Sequence, residues 1–275
     1  MNRNLVILLL SLLAFSGCRE KDLDMTLVQK TVYENATITA VTATDAWNVT
    51  VVQDGRTYVE LEYSAFLEEY LKIAMEAQEL SIGFYRNLYL PANTVMNATV
   101  HISSVEKLHF SDATKAILDG VFPETNLKVE LSDASTCKGG HFSGNVDIEV
   151  SDAATMVDFD FEGESCSVKL SDASTFKGTL SVDDRLDVVV SDASHMTTYG
   201  GHAPYSEVEV SDASSLNLLE TVVNQMYITV KDASEASVYV IDLLEGTVKD
   251  ASELYYLGHP ALNLICDDSS TITPL

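Results

Sequence analysis

The tripeptide Ser-Asp-Ala recurs at Ser111, Ser132, Ser151, Ser171, Ser191 and Ser211. Variants follow as Lys231-Asp232-Ala233, Lys249-Asp250-Ala251 and Asp267-Asp268-Ser269. The nine central aspartates are Asp112, Asp133, Asp152, Asp172, Asp192, Asp212, Asp232, Asp250 and Asp268, spaced by 21, 19, 20, 20, 20, 20, 18 and 18 residues. A fixed period of this size marks a solenoid, in which each repeat buries its apolar face against its neighbours.

The residues around each Asp say which solenoid. Two before it stand apolar residues from Phe110 and Leu131 to Val248 and Cys266. Four before it stand Leu108, Val129, Ile148 and their equivalents down to Gly246 and Leu264. The residues between are mostly polar, such as Lys128, Glu130, Asp147 and Glu149. Alternation of period two with Val and Ile inside is a half-buried strand. Four after the Asp come Ala116, Cys137, Met156, Phe176 and equivalents to Ile272, a second inward position past a corner. The pattern predicts a parallel β-helix with a short rung, too short for a propeller blade and without a leucine-rich Leu/Asn pattern. At about 4.8 Å per rung, nine rungs span roughly 38 Å.

At the corner, the Ser position changes to Lys231 and Lys249, so it points to water. The Ala position is uniformly small, which suits a tight inward corner. The Asp is expected to turn the chain, because Asp tolerates left-handed backbone and can accept from a backbone N–H two residues on. The competing reading is a cation ladder along the nine aspartates. Carboxylates about 5 Å apart repel by roughly 1 kcal/mol in water, and calcium would relieve this. Calcium wants six to eight oxygens, and each rung offers one Asp and some hydroxyls. Calcium is the ion such a ladder would take; no cofactor is expected.

The chain has 275 residues and a formal net charge of −26. Its 46% hydrophobic content is enough for a core, so the acidity does not signal disorder. Such charge excludes nucleic-acid binding, which needs basic faces. Arg3, the apolar stretch Leu5 to Phe15, and Ser16-Gly17-Cys18 resemble a bacterial lipoprotein signal. That resemblance implies lipidation at Cys18 and a membrane partner through the anchor. The acidic tether after it resembles export tags on surface lipoproteins of the Bacteroidetes type.

Cys137, Cys166 and Cys266 fall on inward repeat positions and are expected to be free, buried thiols. The six histidines show no metal-ligand spacing, and no phosphate loop or nucleophile elbow is present. Asp158, Asp160, Glu162 and Glu164 cluster locally and are expected in a solvated loop. Tyr199, Tyr205, Tyr255 and Tyr256, expected in loops or at irregular rung positions, are the candidate ligand-stacking residues.

Residues 31–110 lack the Asp repeat but remain strand-like. Asn48 to Gln53 alternates, Asp54-Gly55 signals a hairpin turn, and Tyr58 to Tyr63 follows. Residues 65–77 predict a short helical turn, then a strand hairpinned to Leu80–Phe84. The Trp47-Asn48-Val49-Thr50-Val51 strand, Asp54-Gly55, Val59-Glu60-Leu61-Glu62, Leu80-Ser81-Ile82 and the Ser-Asp-Ala-Ser corners together resemble a family. It is the putative autotransporter adhesin, head GIN domain family, whose corners often carry Gly where this chain carries Asp. The resemblance implies a right-handed single-stranded β-helix in an exported, lipid-anchored setting, and supplies no catalytic or binding residues. The organisation expected is signal 1–17, lipidated Cys and tether 18–34, N-terminal strands 35–110, and the repeat β-helix 111–275.

The function expected is a non-enzymatic envelope lipoprotein in the outer membrane, periplasmic or surface-exposed, acting as adhesin or binding scaffold. Its partners would be a glycan or an envelope or host protein. The alternatives are a carbohydrate-active β-helix enzyme and an envelope assembly or signalling module. A solenoid with an open end can also stack, so a homo-oligomer is among the expected partners.

Overall fold

The structure is a computed structural model that describes residues 23–123 and 126–275. The leader 1–17 and the lipidation residue Cys18 lie outside the described residues. The N-terminal strands are β1 (Leu27–Val32), β2 (Ala40–Ala43), β3 (Asn48–Gln53), β4 (Tyr58–Ser64), β5 (Leu71–Glu76), β6 (Glu79–Phe84) and β7 (Met96–Ile102). The short rung strands are β8 (Lys107–Phe110), β9 (Lys115–Phe122), β10 (Leu127–Leu131), β11 (Thr136–Phe142) and β12 (Asn145–Val150). Long bent strands follow: β13 (Thr155–Leu170), β14 (Thr175–Val190), β15 (His195–Val210), β16 (Ser215–Val230) and β17 (Glu235–Val248). The chain ends in β18 (Glu253–Leu257), β19 (Ala261–Cys266) and β20 (Thr271–Pro274). Among the described residues no helix is long and apolar enough to cross a membrane.

These strands stack as a parallel β-solenoid with two faces. One face runs β2, β8, β10, β12, then the second halves of β13 to β17, then β19. The other runs β3, β9, β11, the first halves of β13 to β17, then β18 and β20. The inward rows are buried as the alternation predicts. Within them Phe122, Phe142, Phe159 and Phe176 stack rung on rung, with centroids 4.9, 4.8 and 5.6 Å apart.

The corner is a two-residue turn with positive φ at both central residues. From Asp112-Ala113 to Asp250-Ala251, Asp and Ala both lie at φ between 51° and 61°. This is the geometry of a type I′ turn, for which Asp is among the few tolerant residues. From Ala113 to Ala233 the Ala N–H of each corner donates to the Asp carbonyl of the next, for example Ala173 to Asp192 and Ala193 to Asp212, both 2.8 Å.

Several sequence expectations change here. The corner Ala is exposed rather than inward; the inward corner residue is the following Ser or Thr, buried at Thr114, Ser135, Ser174, Ser194, Ser214, Ser234 and Ser252. Five of these N–H groups reach the next rung's hydroxyl: Ser174 to Ser194, Ser194 to Ser214 and Ser214 to Ser234 at 3.2 Å, and Ser234 to Ser252 and Ser252 to Ser270 at 3.1 Å. The corner carboxylate does not take a backbone N–H two residues on. It accepts from the preceding hydroxyl, as in Ser132 to Asp133 (2.8 Å) and Ser191 to Asp192 (2.7 Å).

The ninth aspartate is also different. Asp268 has no positive φ, and the last turn is built by Asp267. The Asp267 carboxylate accepts from the N–H groups of Asp250 (2.8 Å) and Ser269 (3.0 Å). Cys137 and Cys166 are buried and free, and burial pushes the Cys137 thiol up to about 12. Cys266 points inward but is exposed, because no described strand covers the far edge of β19.

The N-terminal part does contain a corner. Thr44-Asp45-Ala46-Trp47 has the same two positive φ angles, and Ala46 donates to the Asp112 carbonyl at 2.8 Å. Residues 54–106 form an excursion between this first rung and the second. Within it, β6 lies parallel under β2 and β7 parallel under β3. Then β5 runs antiparallel to β6, β4 antiparallel to β7, and β1 antiparallel to β4. The expected hairpin between β3 and β4 does not form, because β7 lies between them. The expected turn at Ala65–Leu67 and the β5–β6 hairpin are present.

Candidate binding face

The antiparallel strands β1, β4 and β7 put a polar array on the outer surface beside β3. Gln29, Glu62, Asn97 and Asn48 stand directly opposite one another across the four strands. Period-two alternation aims all four outward while Leu61 and Ala98 go to the core. The Gln29 and Asn97 amides each donate to a different Glu62 oxygen at 3.0 Å. Asn48 donates to the Asn97 oxygen at 3.0 Å. Gln29 and then Asn97 hold the Glu62 carboxyl below its ordinary range. Gln29, Glu62 and Asn97 of the array line a groove of ≈ 470 Å3, together with Lys30, Thr31, Glu60 and Thr99.

A second cleft of ≈ 650 Å3 shares Thr31 and Glu60 with the first and continues to Arg56 and Tyr58. The Asp54-Gly55 turn positions its wall. The Asp54 carboxylate accepts from the Arg56 N–H and Nε at 3.1 and 2.9 Å, and Arg56 is the main cause holding it at about 2. His101, opposite Tyr58 in the ladder, lies with Nδ1 2.9 Å from Asp54 and Nε2 3.8 Å from Glu60. The Tyr58 ring stacks on His101 at 4.1 Å, and the Arg56 guanidinium lies over Tyr58. The two clefts therefore combine fixed donors, fixed acceptors and the Arg56 cation on one surface, while Lys30, opposite Leu61 in the ladder, turns to the other side of the sheet and pairs with Glu68. Sequence reasoning missed this face, although the alternating Glu60 and Glu62 mark one of its strands.

The residues singled out from the sequence lie elsewhere and do not converge. The corner aspartates form an exposed row along one edge; Asp45, at the head of it, is half-buried and accepts from the Phe84 N–H at 2.9 Å. Among the described residues no group of three or more His, Cys, Asp or Glu is disposed to hold a metal ion. Tyr199 and Tyr205 are on strand β15, not in loops; Tyr199 is exposed and Tyr205 lies under Arg185 at 5.2 Å. Three rungs away, Tyr255 bonds Glu253, and Tyr256 packs against the core. Asp158, Asp160, Glu162 and Glu164 are exposed on strand β13 rather than in a loop. Asp158 pairs with Lys138 at 3.1 Å and Asp160 with His141 at 2.8 Å.

Charge on the opposite face is locally neutralised. Partial burial pushes the Glu130 carboxyl up, but Lys107 at 2.7 Å and Lys128 at 2.9 Å outweigh it and hold it at about 2.

Solved structures show the same fold. A putative adhesin from Parabacteroides merdae matches 90% of this chain over 96% of its own, with 13% identity and a TM-score of 0.68. A putative lipid binding protein from Parabacteroides distasonis matches 92% over 98%, with 12% identity and a TM-score of 0.69. A putative adhesin from the same species matches 92% over 98%, with 15% identity and a TM-score of 0.66. No curated protein matches the chain. The model of one family matches residues 37–160 and again residues 146–260, which together take in both the excursion and the repeats. This chain belongs to that family, described as putative auto-transporter adhesin, head GIN domain.

Proposed function

We propose that the protein is a non-enzymatic envelope lipoprotein, anchored through a lipid on Cys18, that acts as an adhesin-type binding scaffold. Its recognition surface is the β1–β4–β7–β3 face, and its ligand is a neutral polyhydroxylated molecule such as a glycan. The observation that carries the reading is the Gln29–Glu62–Asn97 array lining the groove, with Asn48 fixing the Asn97 amide. Planar amides and a carboxylate held in fixed orientation match alternating hydroxyl donors and acceptors at low ordering cost. The net charge of −26 favours a neutral ligand over an anionic one. Membership of an adhesin family and the fold shared with two described adhesins support the role and an envelope or surface location.

A glycan array probed with the purified protein tests this. Binding should appear, and Glu62→Ala with Asn97→Ala should reduce it at least about tenfold, the loss of two hydrogen bonds to a polar ligand. The corner variant Asp172→Ala should leave it unchanged. An array without signal, or signal untouched by the double variant, overturns the assignment.

A further inference from the structure

The last rung leaves one end of the core uncovered. Leu262, Leu264 and Cys266 of β19 and Ile272 of β20 occupy inward positions, opposite Leu244, Gly246, Val248 and Leu254. Leu262 is nevertheless 51% exposed. Parity fixes which backbone groups are free. Asp267 N–H donates back to Val248, so odd residues of β19 face the previous rung. Leu262, Leu264 and Cys266 therefore present both N–H and C=O to the open side. On β20, Thr271 and Leu275 donate back to Ser252 and Tyr256, which leaves Ile272 and Pro274 outward. Pro274 has no N–H, so the edge of β20 is blunted while that of β19 is not.

We propose that a second copy of this chain caps this end, with β19 pairing antiparallel to its counterpart across a two-fold axis. A register centred on Leu264 places Leu264 opposite Leu264 of the second copy, and Leu262 opposite Cys266. All three free residues then exchange hydrogen bonds, and their side chains form one apolar layer with Ile272. Charge selects this occupant. In a chain of net charge −26, two copies repel through most surfaces, but β19 and β20 carry no charged side chain. The antiparallel arrangement also lays the Asp267-Asp268 corner of each copy over the Gly258-His259-Pro260 bend of the other, where His259 is exposed, not over its acidic counterpart. The opposite end does not compete, because its edge strands β1 and β5 carry Lys30, Lys72 and Glu76. The contact is isologous and stops at two copies.

Sedimentation equilibrium of the purified protein should give twice the chain mass, and Leu264→Asp should return it to the single-chain mass with its circular dichroism unchanged. A cross-link fixes the register. Directly opposed residues of a hydrogen-bonded antiparallel pair have Cα atoms about 5.5 Å apart, within disulfide reach. Leu264→Cys in a Cys266→Ser background should therefore form a covalent dimer on oxidation. The native Cys266 should not, because its counterpart lies about 14 Å away along the strand. Four results would each overturn the proposal: a single-chain mass at every concentration, a dimer indifferent to Leu264→Asp, an open series of higher oligomers, or a dimer linked through Cys266.

Discussion

The two ends of the solenoid each carry an Asp-bearing corner and are finished in opposite ways. At the first corner the inward fourth position is Trp47, fully buried and 6.1 Å from Phe84. Below it the chain has turned back on itself: β5 and β4 run antiparallel to the rungs, and β1 runs antiparallel to β4 at the edge. A parallel coil propagates because each rung offers the next the same backbone pattern; antiparallel strands with charged edges end that propagation. At the last corner the fourth position is Ser270, and termination is done by side chains alone. The Asp267 carboxylate and the hydroxyls of Ser269 and Ser270 take the N–H groups of Asp250, Ala251 and Ser252. The closed end uses an inserted sub-structure of about fifty residues; the open end uses three polar side chains and leaves its apolar layer bare. Closure of the core and termination of the hydrogen-bond ladder are thus separable tasks.

The sharpest way to break this contrast is to cut equally into both ends. Trp47→Ala empties a site with no solvent contact and should cost about 3–5 kcal/mol in chemical denaturation. Leu262→Ala removes an inward side chain that is half exposed and should cost the single chain below about 1 kcal/mol. Equal costs would mean that the two ends are covered alike, and the comparison would fail.

A smaller effect separates the interior of the corner ladder from its end. Ser214 is buried, and its hydroxyl accepts the Ser194 N–H. Ser214→Ala strands that donor away from water and should cost about 1–3 kcal/mol. Ser270 makes the equivalent bond to Ser252 at 3.1 Å, but at the solvent-open rung. Water replaces its hydroxyl there, so Ser270→Ala should cost under about 1 kcal/mol. A Ser270 variant as damaging as the Ser214 variant would show that the last rung is as dry as the middle.

Much of this was legible in the sequence because it is periodic. Val129, Val168, Val188 and Val208 recur at one offset from the aspartates, and that offset alone defines inside and outside. The first corner was missed for the complementary reason. Thr44-Asp45-Ala46 has the right residues, but the excursion separates Asp45 from Asp112 by 67 positions, and the period vanishes. The β3–β4 hairpin was wrongly expected because Asp54-Gly55 is a strong local turn signal, while β7, which displaces β4, comes forty residues later. Size alone suggests an inward corner Ala, but in a two-residue turn size does not say which way a residue points, and the turn holds it in water. Gly246 shows size set by another neighbour: a Cβ there would lie 1.8 Å from the Ile228 carbonyl oxygen. The polar array was hidden because Gln29, Glu62, Asn97 and Asn48 sit on four strands with no common spacing.

The finest test concerns the three side chains that end the ladder, and it is read by pH. The Asp250 N–H, and after it Ser270 and Ser269, hold the Asp267 carboxyl at about 2, against an ordinary value of 3.8. The folded group therefore binds its proton later than the unfolded one as pH falls. Its contribution is complete above about pH 4 and is lost as pH drops through 2. Because the group is exposed, the effect is local fraying rather than global unfolding. Hydrogen exchange should show the Asp250 and Ser269 amides protected at pH 6 and progressively less so toward pH 2. Asp267→Asn keeps one acceptor oxygen in place of two, so at pH 6 it should expose at least one of these amides. The difference between variant and parent should then shrink as the parent carboxyl protonates. Protection factors in the middle rungs, such as those of Ser194 and Ser214, should not move with this titration. If they moved together with Asp250, the last rung would be part of one cooperative unit with the core, and the open end would be no different in kind from the rest of the coil.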